Sequence, residues 1–125
     1  MGEAPRVPGG FKPVLLWENS DPTNNFPGQE IQNENLKNFD YVLIFYRPFY
    51  TTWSGVYLNE PVSIIVKKGK SALHSFVNTF DFRNIEVEDD RIVFGDGKST
   101  YSYGGGLDTK ADNRKCVPLA IYGIR

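Results

Sequence analysis

The chain has 125 residues, with 14 basic against 15 acidic, one histidine and one cysteine. That length gives one domain with room for a core that needs no disulfide or metal staple. A net charge of −1 offers no field to gather a phosphate backbone or an anionic surface, so neither nucleic acid nor membrane insertion is expected.

Cys116 has no partner within the chain and reads as a small buried hydrophobe rather than a reactive thiol. No basic-then-apolar leader opens the sequence, and no run approaches the ~18 apolar residues that a membrane helix needs. The expectation is a soluble, unprocessed protein.

Residues 1–12 carry Pro5, Pro8, Gly9 and Gly10 with little to bury, which predicts a flexible Pro/Gly-rich arm ahead of a single domain over 13–125. Phe11 to Glu18 supplies a first strand through Val14-Leu15-Leu16-Trp17, closed by the turn formers Asn19-Ser20-Asp21-Pro22. A polar loop leads to a short, weak strand at Gln29 to Gln32, and Asn33 to Asn38 reads as a polar connection. Phe39 to Arg47 is then the organising strand. Val42, Ile44 and Tyr46 point one way and Tyr41, Leu43 and Phe45 the other, and both sets call for cover. A single sandwich covers one face of such a strand, so the second must meet a loop, a terminus or another subunit.

Pro48 stops that strand, and Phe49 to Trp53 is aromatic where a connection would ordinarily be polar. Val56-Tyr57-Leu58 and Val62 to Val66 are strand-like, and Lys67-Lys68-Gly69-Lys70 is a basic turn. Ala72 to Phe82 reads as one long strand whose Phe76, Asn78, Phe80 and Phe82 face packs on the core. Asn84 to Gly97 reads as a hairpin turning at Asp89-Asp90 and ending at Gly95-Asp96-Gly97. Ser99 to Tyr103 alternates, Gly104 to Gly106 opens a polar loop, and Val117 to Ile124 closes the chain. Pro118 marks an edge or bulge in that last strand, and Gly123 a close approach. About nine or ten short strands with frequent turn signals and no helix predict an all-β, antiparallel β-sandwich, jelly-roll-like.

Three segments carry a family likeness: Leu15 to Asn19, Leu36 to Ile44 and Cys116 to Arg125, with Arg83 to Phe94 as a penultimate hairpin. In that order and spacing the chain resembles the small β-sandwich domains of tail, baseplate and tail-fibre proteins of bacteriophages and prophages. The resemblance covers roughly residues 14–125 and rests on apolar strands rather than on chemistry. It implies a virion tail location, with the protein soluble in the host cytoplasm before assembly. It further implies a structural or receptor-recognition role, a homo-oligomer of trimeric type, contacts with other tail proteins, and a host-surface glycan or protein as the target.

Catalytic signatures are sparse. His74 has no second histidine and no Gly-x-Ser-x-Gly elbow with which to build a nucleophilic relay. Glu86, Glu88, Asp89, Asp90, Asp96, Asp108 and Asp112 are the candidate acids for a calcium site or a glycosidase pair, and a solvated hairpin face is the plainer account. The glycine run lacks the Lys-Ser/Thr of a phosphate loop. No cofactor, metal or catalytic residue is expected.

With 7 Tyr, 9 Phe and 2 Trp, the chain carries more rings than its core obviously needs. Phe49, Tyr50, Trp53, Tyr57, Tyr101 and Tyr103 fall in loops or on polar strands. Flat rings beside Asn, Asp and Thr suit the apolar face and hydroxyl rim of a pyranose. The alternative is that they cap the sandwich or pack between subunits. The leading expectation is a non-enzymatic tail-associated module presenting loops to a host-surface glycan. Its alternatives are a carbohydrate-active hydrolase using a carboxylate pair and a purely structural virion module.

Overall fold

The computed structural model describes residues 12–48, 61–76, 80–103 and 106–125, with the backbone alone described for Phe76 and for 101–103. The strands are β1 (Val14–Glu18), β2 (Gln29–Gln32), β3 (Tyr41–Arg47), β4 (Val62–Lys67), β5 (Gly69–Phe76), β6 (Phe80–Val87), β7 (Arg91–Tyr103), β8 (Gly106–Ala111) and β9 (Val117–Ile124). They form two antiparallel sheets, one ordered β1-β9-β3-β4 and the other β2-β7-β6-β5, with β8 continuing the β2 edge along the far half of β7. The chain crosses repeatedly between these sheets, in the jelly-roll-like antiparallel sandwich that the turn spacing predicts.

Alternation builds the core. Val42, Ile44, Val66 and Ile121 face inward from the first sheet; Leu73, Ile85, Val87, Ile92 and Phe94 meet them from the second. A register shift between Leu15 and Trp17 lets both Leu16 and Trp17 turn toward this core. Trp17, Phe26 and Phe94 close one end, with ring centroids 5.4 to 6.0 Å apart. The Tyr46 hydroxyl crosses the sandwich to donate to the His74 carbonyl at 2.7 Å. Burial pushes its pKa up.

Pro118 lies at a register shift, and a Cβ on Gly123 would stand 2.5 Å from the Phe39 ring, so both positions are irregular for the reasons their residue types imply.

Several segments differ from expectation. Residues 72–82 are not one strand: β5 and β6 form a hairpin, with Phe76 opposite Phe80. The face assignment is also inverted, because Ile85 and Val87 enter the core and a two-residue period then carries Arg83 and Asp81 inward with them. Phe80 and Phe82 are left half-buried on the outer face.

The Asp89-Asp90 hairpin forms, but its second strand does not stop at Gly97 and runs on to Tyr103. Asn33 to Asn38 is more than a polar link: Asn33 caps a 3-10 turn over Glu34–Asn38 and Leu36 is buried. β3 is central as expected; among the described residues its outer face is less covered than its inner one, with Tyr41 44% exposed and Leu43 and Phe45 half-buried. The predicted arm up to residue 11 and the strand Val56-Tyr57-Leu58 lie outside the described residues.

Candidate functional surfaces

Beneath the second sheet lies a polar cluster, in the place where the sequence predicts the Phe76, Phe80 and Phe82 face. Arg83 is fully buried and spends its guanidinium on backbone carbonyls: Nε on Cys116 at 3.0 Å, Nη1 on Phe26 and Gly95 at 2.7 Å each, and Nη2 on Lys115 at 3.0 Å and Asn113 at 3.4 Å. Its plane also lies over the Phe26 ring. One side chain therefore ties together the β1–β2 connection, the middle of β7 and the β8–β9 connection. Burial lowers its pKa to about 10, still charged at neutral pH.

Asp81, also fully buried, accepts from the Ser99 hydroxyl at 2.7 Å and faces the buried Lys115 ammonium at 3.6 Å. Desolvation lowers the Lys115 pKa, opposed by the Asp81 charge. Cys116 adopts φ 48° beside this cluster, and burial pushes its thiol up to about 12. Every one of these groups is directed inward, so the cluster serves the fold.

Two outward faces remain. On the first sheet, Leu15 pairs with Tyr122, Tyr122 with Leu43, and Leu43 with Ile65, so one apolar row crosses all four strands. Its ends are open: Leu15 is 51% and Ile65 56% exposed. Phe45 meets Tyr122 edge to face at 5.8 Å and thickens the row. β4, at the end of the row, is an edge strand paired with β3 among the described residues.

On the second sheet, His74, Phe80 and Phe82 stand as a ladder of nearly parallel rings, 5.9 and 5.5 Å between centroids, with the Lys98 ammonium 6.0 Å from the Phe82 centroid. Beside the ladder is a groove of about 470 Å³ lined by Lys70, Ser71, Asn84, Ile85, Glu86, Val93 and Gly95.

Of the expected glycan-binding residues, Phe49, Tyr50, Trp53 and Tyr57 lie outside the described residues. Tyr101 and Tyr103 fall on the far half of β7, opposite Asp108 and Gly106. His74 is an exposed member of the ring ladder. Among the acids, Asp96 accepts from the Gly28 amide, Asp112 holds Arg114, and Asp89 pairs with Lys68 at 2.6 Å. Arg114 keeps the Asp112 carboxyl below the usual carboxylate range. Among the described residues, no group of three or more His, Cys, Asp or Glu side chains is placed to hold a metal ion.

These features define an antiparallel β-sandwich with a buried arginine clamp and two exposed faces of contrasting chemistry. No protein-family model, curated protein or solved structure matches the chain.

Proposed function

We propose that the chain is a non-enzymatic module that assembles with copies of itself through the outer face of the β1-β9-β3-β4 sheet, in the manner of a phage or prophage tail component. The observation that carries the assembly half is the Leu15–Tyr122–Leu43–Ile65 row, which leaves water only if something packs on it. A second copy fits that description. The row ends on β4, an apolar edge strand among the described residues, and a net charge of −1 lets like surfaces approach without strong repulsion. The tail assignment, the trimeric state and a host-surface glycan or protein as target rest on the family resemblance of the three apolar segments. In this arrangement the opposite sheet stays free for recognition.

Cysteine labelling tests the assembly half cleanly, because the buried, weakly acidic Cys116 thiol stays silent. An Ile65→Cys variant should react with a maleimide more slowly as protein concentration rises and copies cover the row. A labelling rate independent of concentration would contradict self-assembly through this face.

A further inference from the structure

We propose that the groove on the outer face of β5, β6 and β7 is a binding site for a neutral oligosaccharide. The inference extends the recognition half of the proposed function and does not depend on the assembly half.

The groove follows from local sequence. Asn84 faces outward from β6, and its cross-strand neighbour on β5 is Ala72, which has almost no side chain. On the other flank β7 is bulged: Arg83 pairs with Gly97 and Ile85 with Phe94, so Gly95 and Asp96 together oppose Asn84. Gly95 contributes no side chain either. Two minimal residues on both sides of Asn84 leave a depression, and the buried Arg83, donating to the Gly95 carbonyl, fixes the bulge from below. The shape is therefore set by the core and precedes any ligand.

Its chemistry suits a polyol. Lys70 and Glu86 face each other across β5 and β6, so their charges balance and neither an anion nor a cation is favoured. Asn84 adds a donor and an acceptor. Among the described residues, the Lys70, Asn84 and Glu86 side chains make no hydrogen bond or ion pair that would have to be broken first. Val93 supplies apolar lining from β7, and Phe82 and Phe80 continue along the outer face of β6. A sugar unit needs this combination of mixed donors and acceptors at its rim and apolar surface under its C–H face. The volume holds one or two units, and the ring ladder gives a longer chain somewhere to run.

The test is an amide NMR titration of the full chain with three probes: maltotetraose, the tetramer of N-acetylglucosamine, and tetragalacturonate as an acidic control. The expected result is saturable shifts from at least one neutral tetramer, centred on 70–72, 84–86 and 93–95, with the acidic one weaker. Asn84→Ala and Glu86→Ala should each weaken binding about tenfold, and Ala72→Leu, which fills the depression, should remove it without lowering the thermal midpoint. Absence of saturable shifts with both neutral probes, shifts centred elsewhere, or tighter binding of the acidic tetramer would overturn the proposal. Cleaved probe would leave the groove standing and overturn the non-enzymatic reading instead.

Discussion

Arg83 donates to the carbonyl of Gly95 at 2.7 Å from inside the sandwich, directly below the bulge that shapes its outer face. A core contact thus sets a surface feature. Truncating this arginine would take its donor from carbonyls in three separate chain segments, and those of Phe26, Lys115 and Cys116 are buried away from water.

Arg83→Met should therefore destabilise the fold by about 3–5 kcal/mol, in the range for breaking a buried, charged network. Arg83→Lys should recover little of this, since one ammonium cannot span five carbonyls in a planar fork. Urea unfolding monitored by tryptophan fluorescence measures both. A loss below about 1 kcal/mol, the net value of one ordinary hydrogen bond, would contradict the clamp.

Asp81 and Lys115 make a second buried pair, with side chains 1% and 8% exposed. Asp81→Asn should cost about 3–5 kcal/mol by removing the buried charge that faces the ammonium, and Lys115→Met added to it should restore part of the loss. A double variant no more stable than Asp81→Asn alone would show that the charges do not depend on each other.

The two ends of the pH range depend on different residues. The native Cys116 thiol titrates near 12 against an ordinary 9.0, so the unfolded chain ionises first; the stability this group confers is whole below 9.0 and is lost as pH climbs toward 12. The Asp112 carboxyl is depressed, so its contribution is present above the ordinary value of 3.8 and is lost as pH falls through the native pKa. Thermal midpoints against pH should show Cys116→Ala with a shallower alkaline decline than the wild type, and Asp112→Asn with a shallower acid one. Parallel curves would refute the assignments.

The sequence was most legible where one face of a strand repeats. β3, β9 and the turn at Asp89-Asp90 follow from apolar alternation and turn chemistry. Alternation failed at β6, because Phe80 and Phe82 pull one way and Ile85 and Val87 the other, and a period of two cannot satisfy both. The aliphatic pair won, and inside Arg83 met backbone carbonyls while Asp81 met the Ser99 hydroxyl and the Lys115 ammonium. Those partners are mostly carbonyls from distant loops, which no local pattern announces.

The groove was hidden for a related reason. It is made by what Ala72 and Gly95 lack and by a bulge whose register appears only once the strands pair. The outward row was half legible: Leu43 stood out as surplus, but its alignment with Tyr122, Leu15 and Ile65 needed the topology.

The most direct test of the central claim is the molar mass of the wild type in solution, measured by light scattering across a range of concentrations, beside an Ile65→Lys variant. Ile65 is 56% exposed in the single chain, so the substitution should barely touch the fold. The account predicts an oligomeric wild type and a folded, monomeric Ile65→Lys. A wild type that stays monomeric at the highest concentration, or a variant that assembles as the wild type does, would contradict it.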